Sequence, residues 1–182
     1  YYFSHGISHL LNTSSAKVNY RLVASLAESD MQAVFDIRSY GITVDVVPSR
    51  NTVFFENSYD QNINNRKQRV LAKADPFTVE SLANIDAKYI ILGTLLADDF
   101  SLEVVRSLAG RGTLVVDAQG YLREVRGSKV YACDWEKKME FLKLIDVLKV
   151  NEHEVRALTG EEDLIKGAKM LSQWGVNEVV LT

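Results

Sequence analysis

The sequence predicts an α/β protein: a mainly parallel sheet with helices on both faces, and a small β lid beside it. Three observations carry that expectation. Short apolar runs such as Tyr89–Leu92, Thr113–Val116 and Ile145–Val150 alternate with segments of helical periodicity. Those runs are too apolar to face water, as strands covered in a parallel sheet must be. The rhythm breaks once, near residues 42–74, where strand-like segments follow one another with no helix between them.

In chain order, Tyr20–Leu26 is a short buried run with Leu22, Val23, Ala24 and Leu26. Ser29–Tyr40 places Met31, Val34, Phe35 and Ile37 at helical spacing, and Gly41 supplies the stop. Ile42–Val47 has strand composition and ends at Pro48, which cannot donate to a ladder. Thr52–Asn57 and Arg69–Lys73 are strand-like and flank a stretch rich in Asn, Asp and Gln, the pattern of a hairpin. The range 42–74 is therefore expected to be an inserted β lid.

From Asp75 the alternation returns. Pro76–Leu82 reads as a short helix with Pro near its start. Tyr89–Leu92 is a strand closed by Gly93, Asp99–Leu108 a helix closed by Gly110 and Gly112, and Thr113–Val116 a strand ending at Asp117. Met139–Leu144 leads through a short helix to the strand Ile145–Val150, which ends at Asn151. Helices over Glu152–Leu158 and Asp163–Trp174 follow, then Gly175 and the strand Glu178–Leu181. With no Met at its start and an apolar strand at its last residues, the sequence is expected to be the interior of a longer chain, one incomplete domain over 1–182.

Composition removes several function classes. A hydrophobic share of 47% and a charged share of 25% are those of an ordinary globular protein. The net charge is −3 and the densest basic group is only Arg66, Lys67 and Arg69, so a nucleic-acid partner is not expected. No apolar run approaches the roughly 18 residues of a membrane helix, and a membrane partner is not expected either. The single Cys133 excludes an intrachain disulfide framework and a multi-cysteine metal site, which points to the cytoplasm.

In an open parallel sheet, ligands bind beyond the carboxyl ends of the strands. Gly93, Asp117, Asn151 and Thr182 each follow a buried apolar run and so mark that edge. Asp117 to Arg123 places a carboxylate, an amide and a guanidinium in one loop. Asn151-Glu152-His153-Glu154 places an amide at a strand end and a carboxylate three residues on, in the first turn of a helix. Mg²⁺ keeps much of its water, so one carboxylate and one amide can hold its hydrated shell, while a helix start offers N–H groups to an anion. The same spacing is also that of an N-cap and its capping-box partner, and both readings stand. His5 and His9 lie four apart, a zinc-compatible spacing, but no third ligand is evident. No Gly-rich phosphate loop with Lys and no Gly-x-Ser-x-Gly elbow is present.

Val150 through Gly160, with Asn151 and Glu154 in an Asn-x-x-Glu arrangement, resembles the corresponding segment of PfkB-type, ribokinase-like carbohydrate kinases. Ala168 through Thr182 is similar to the helix and strand that precede their nucleotide loop. Leu22–Asp30 resembles the family's early strand and Gly-x-Asp turn, with Glu28 where Gly is usual. Asp117–Arg123 resembles its Asp-x-Asn-x-Arg loop, with Gln119 for Asn and the Arg displaced. Tyr1–Leu10 is similar to the helix after the Gly-Gly substrate loop, without the glycines.

The resemblance implies a ribokinase-like (Rossmann-like) fold and ATP-dependent phosphorylation of a hydroxyl on a sugar, nucleoside or polyol. It implies ATP and Mg as cofactors, with Asn151, Glu154 and Thr182 on the cofactor side and Glu154 holding Mg through water. Glu56 and Asn57 of the lid, together with Asp117, fall on the acceptor side. The proton-accepting Asp of the family's Gly-Ala-Gly-Asp motif is expected beyond Thr182, so the chain as it stands is expected to be inactive. Lids of this family often pair between subunits, which implies a homodimer. The competing expectation is a non-catalytic sugar-binding α/β domain, which shares the strand-end site but needs no phosphate path.

Overall fold

The structure, a computed structural model, describes residues 19–59 and 66–182 together with the helical positions Gly6, His9 and Thr13. The expected helix over Tyr1–Leu10 and the His5–His9 pair lie outside the described residues, apart from Gly6 and His9. Two compact units are present: Tyr1–Glu56 with Val70–Asp75, and Asn57–Arg69 with Pro76–Thr182.

In the first unit, β1 (Arg21–Leu26) leads through a 3₁₀ turn into α1 (Met31–Ser39) and then β2 (Thr43–Pro48). β1 and β2 pair in parallel, Arg21 opposite Thr43 and Leu26 opposite Pro48. The intervening helix makes this a βαβ unit, and its buried stripe is the Val34 and Ile37 that the sequence spacing placed there. Leu26, Val34, Ile37, Ile42 and Val44 form its core, with Leu22, Met31 and Val46 packed around them. Thr52 closes the turn after β1: its hydroxyl donates to the Asp30 carboxylate and accepts from Ala27 N at 3.0 Å.

β3 (Phe54–Tyr59) and β4 (Arg66–Ala72) belong to a separate four-stranded sheet of order β3-β4-β8-β7. The expected insert over 42–74 therefore takes another form. Residues 43–48 pair in parallel with β1, and only the segments from Phe54 to Ala72 enter the smaller sheet.

In the second unit, β5 (Tyr89–Gly93), α2 (Leu102–Leu108) and β6 (Thr113–Asp117) come first. A hairpin of β7 (Arg123–Arg126) and β8 (Lys129–Ala132) follows, then the single turn α3 (Lys138–Phe141). β9 (Val147–Val150), α4 (Glu152–Thr159), α5 (Leu164–Gln173) and β10 (Glu178–Leu181) complete the unit. The sheet order is β10-β9-β6-β5, and all its pairings are parallel.

Because the chain steps across this sheet in one direction, right-handed crossovers carry their helices to one face. That face is the one whose strand residues are buried: Ile90, Leu92, Leu114, Val116, Leu148 and Val150. Val104 and Val105 of α2, Val155 and Leu158 of α4 and Leu171 of α5 are buried with them. Each such side chain contributes about 1.5–3 kcal/mol by leaving water. The alternate positions Tyr89 and Ile91 are exposed.

The structure departs from the sequence expectations at two further places. Residues 76–82 are not helical: Phe77 makes an isolated bridge to Phe100, with the rings stacked 4.8 Å apart, and turns follow. The reason is local. Thr78 and Ser81 exchange side-chain and backbone hydrogen bonds of 2.9–3.1 Å, giving the backbone partners other than a helix. The β7–β8 hairpin was not anticipated; its two strands meet at a two-residue turn, Gly127-Ser128, where Gly127 takes φ 63°.

Candidate functional site

The strand-end residues lie in the second unit, at the carboxyl ends of its parallel strands, whereas Glu56 belongs to the first. β6 ends at Asp117 and β9 at Val150, so Asp117, opposite Lys149 in register, stands beside the turn into α4. β10 lies on the other side of β9, and Thr182 N donates to Val150 O at 3.1 Å. The strand-end residues Asp117, Asn151 and Thr182 are thus brought side by side by sheet order alone. The hydroxyl-bearing Thr182 is exposed.

Asn151 caps α4. Its Oδ1 accepts from Glu154 N at 3.0 Å, and Glu154 Oε2 accepts from Asn151 N at 2.8 Å. A third bond joins Asn151 Nδ2 to Glu154 Oε1 at 2.8 Å. The capping box expected from the spacing is therefore present, and Glu154 is only 7% exposed. Each carboxylate oxygen accepts one bond from Asn151 and retains further lone-pair capacity toward a water. His153, one residue earlier, is exposed and lies 3.8 Å from Glu152.

Asp117 is held from several directions. Lys149 Nζ lies 3.2 Å from its Oδ2, and Gln119 N donates to its Oδ1 at 3.2 Å. Its carbonyl accepts from the Thr94 hydroxyl at 2.5 Å, and the same hydroxyl oxygen accepts from Gly120 N at 2.9 Å. Thr94 thereby ties the end of β5 to the loop after β6. Gly120 has to be glycine there, since a Cβ would sit 2.6 Å from Thr94 side-chain atoms.

Behind this loop, Tyr121 stacks on Trp135 at 4.2 Å and donates to Phe100 O at 2.9 Å. Burial, with a smaller contribution from the Asp99 charge, pushes its phenol well above the ordinary value. The Cys133 thiol is also raised, chiefly by burial, which leaves it a poor nucleophile at neutral pH. Both residues support the loop and are not placed for chemistry.

Of the two residues that the sequence placed in a lid, Glu56 is exposed on β3, and Asn57 Oδ1 accepts from Gln68 Nε2 at 2.9 Å. Sequence reasoning passed over Lys149 and Thr94. The signal for Lys149 was a lone charge inside the apolar strand Val147-Leu-Lys-Val150, directly before the strand-end turn.

The cluster offers an ammonium, two carboxylates, an amide and a helix start within one sheet edge. Such a set suits a phosphate anion and a hydrated divalent cation. Among the described residues there is no group of three or more His, Cys, Asp and Glu that could hold a metal ion. No described helix is long and apolar enough to cross a membrane.

No family model matches the chain, and no curated protein does. Solved structures do. A sulfate complex of a pyrophosphate-dependent kinase in the ribokinase family is 28% identical, with a TM-score of 0.87 over 96% of this chain and 61% of that one. A pyrophosphate-dependent kinase of that family, complexed with a pyrophosphate analog and myo-inositol, is also 28% identical, with a TM-score of 0.85 over 96% and 60%. Ribokinase from Giardia lamblia, at 12% identity and a TM-score of 0.68 over 98% and 58%, shares the fold. The fold is ribokinase-like α/β, and the chain spans about three-fifths of the length of these proteins.

Proposed function

We propose that this chain is the central part of a ribokinase-family (PfkB-type) kinase that moves a phosphoryl group to a hydroxyl of a sugar, nucleoside or polyol. The observation that carries the reading is the strand-end cluster: Lys149 beside Asp117, and Asn151 with Glu154 at the start of α4. It sits on the fold shared with these kinases, where that edge of the sheet is the general ligand position.

Phosphoryl transfer asks a protein mainly for positioning and charge stabilisation. Glu154 and Asn151 would hold hydrated Mg²⁺, which offsets the charge on the donor phosphates. The α4 start and Thr182 lie on the donor side of this reading, and Glu56 and Asn57 on the acceptor side, where a lid sheet excludes water. In the same reading the proton acceptor is an Asp carried beyond Thr182, the lid pairs with that of a second subunit, and the enzyme works in the cytoplasm.

A second donor reading has a specific support. Two of the similar structures, both 28% identical, are of pyrophosphate-dependent kinases, and one carries myo-inositol. Pyrophosphate is therefore placed beside ATP as donor, and a cyclic polyol stands first among acceptors.

The test is transfer by the complete protein from MgATP and from magnesium pyrophosphate, each offered myo-inositol, ribose and adenosine, with the phosphate ester read by NMR. Ester formation with one donor is expected. Binding of a sugar or polyol with no transfer from either donor would favour the non-catalytic sugar-binding alternative.

A further inference from the structure

We propose that the outward face and open edge of the β7–β8 hairpin form a docking surface for an acidic, extended polypeptide segment of another protein. The surface does not depend on the kinase reading above.

Strand register builds it. Arg69 of β4 lies opposite Lys129 of β8, and Lys129 lies opposite Arg126 of β7. Opposite residues share a face, so three cations stand in one row across three strands, about 5 Å apart from strand to strand. Lys67, two residues before Arg69 on β4, belongs to the same face. All four are exposed, whereas Val125 and Val130 on the other face are half-buried, so the cations point outward. In the sequence the two pairs lie far apart, and only the pairing of β4 with β8 joins them.

Like charges set opposite one another disfavour a sheet. Part of that repulsion is met within the hairpin: Arg126 pairs with Glu124 at 2.7 Å and lies over the Tyr131 ring, 5.3 Å from its centroid. Lys67 and Lys129 make no ion pair among the described residues. In a chain of net charge −3 this is a local basic patch, complementary to an acidic partner. Cations on an edge deter chance pairing with other strands, and an acidic strand is the kind they admit.

The edge decides among acidic partners. β7 is the last strand of its sheet. Beside the two-residue turn, Arg126 and Lys129 form the hydrogen-bonded pair, so Val125 turns its backbone N–H and carbonyl to the open side. A peptide strand supplies a matching row of donors and acceptors, which a nucleic acid or a lipid surface lacks. Four cations are also fewer than the roughly 6–10 phosphate contacts typical of duplex binders. A second copy laid on this face by a two-fold axis would set the patch against itself. The pairing of lids proposed above would therefore use another surface.

The test measures binding to the complete protein by fluorescence anisotropy, with a short labelled peptide that alternates Glu with Thr. Wild type should bind it at least about tenfold more tightly than the same peptide with Lys for Glu, and more weakly as salt is added. Lys129→Glu and Lys67→Glu should each weaken binding by about five- to tenfold, by repulsion of the carboxylates. Lys169→Glu, the same charge change on an exposed lysine of α5, should stay within about twofold of wild type. The peptide N-methylated throughout keeps its carboxylates but donates no backbone bonds, and should bind about tenfold more weakly. Equal affinity for the methylated peptide would overturn the proposal, as would equal losses for Lys169→Glu and Lys129→Glu. So would no binding of the Glu peptide at low salt, or tighter binding of a duplex oligonucleotide or of phosphatidylserine vesicles.

Discussion

Asn151 and Glu154 satisfy each other through three hydrogen bonds of 2.8, 2.8 and 3.0 Å, with both carboxylate oxygens facing donors on Asn151. Glu154→Gln keeps the shape but turns one acceptor into an amide donor facing an N–H. A stability loss of about 1–2 kcal/mol is expected from the damaged cap. If the pair also orders hydrated Mg²⁺, the complete enzyme should show a lower kcat and a Mg²⁺ dependence moved to higher concentration. Urea unfolding and Mg²⁺-dependent rates on the same variant separate the two roles: a stability loss with unchanged kinetics leaves Glu154 a cap alone.

Gly120 offers a cleaner structural test. A Cβ there would lie 2.6 Å from Thr94 Cβ and Oγ1 and 2.7 Å from its backbone carbon, so the loop after β6 must shift. Gly120→Ala should cost about 1–3 kcal/mol, the range for forcing a methyl group into packed structure. Gly93→Ala is the control, since nothing lies within 4 Å of the added atom. Equal melting temperatures for the two variants would show that the Thr94 clasp yields freely.

The parallel strands are legible in the sequence because covered strands must be apolar: Ile90, Leu92, Leu114, Val116, Leu148 and Val150 announce themselves. The cap of α4 is legible because side chain and backbone meet at a fixed spacing of three residues. The β7–β8 hairpin is hidden by its charges, since Arg123, Glu124, Arg126 and Lys129 leave one valine on each strand to signal an inner face. Its Gly-Ser turn was the available sign. Residues 76–82 mislead for another reason: Pro76 suits a helix start, but Thr78 and Ser81 capture the backbone first. Lys149 is hidden because apolar runs are read as core, and a single lysine within one carries no period of its own.

Acid should weaken the first unit through Asp75. The Arg50 side chain, and then its backbone N–H, hold this carboxyl at about 2 against an ordinary 3.8, through bonds of 2.7–3.0 Å. A carboxyl depressed in the folded state contributes stability that is complete above its unfolded value and is lost as pH falls through its folded one. The contribution is thus present above about pH 4 and fades toward pH 2. Wild type should melt above Asp75→Asn at pH 5, with the gap closing as pH is lowered. Added salt should narrow the gap, because Arg50 is 86% exposed. A gap that does not change between pH 5 and pH 2.5, the second of which lies well inside the roughly 3.8-to-2 window, would remove the ion pair as its source.

The end of α4 gives the last prediction. Lys138 Nζ donates to Leu158 O in the last turn of that helix at 3.1 Å and to Asp134 Oδ1 at 2.8 Å, with the Trp174 ring centroid 6.0 Å away. A cation there both satisfies an orphan carbonyl and opposes the negative end of the helix dipole. Lys138→Met should cost about 1–2 kcal/mol for the lost charged hydrogen bond and dipole interaction together. Asp134→Asn removes only the exposed partner and should cost between about 0 and 1 kcal/mol. Equilibrium urea unfolding of both variants decides between cap and ion pair: a Lys138→Met loss no larger than that of Asp134→Asn would mean the carbonyl contact contributes nothing. A larger loss, with hydrogen exchange quickened in the last turn of α4, would place the effect at the helix end.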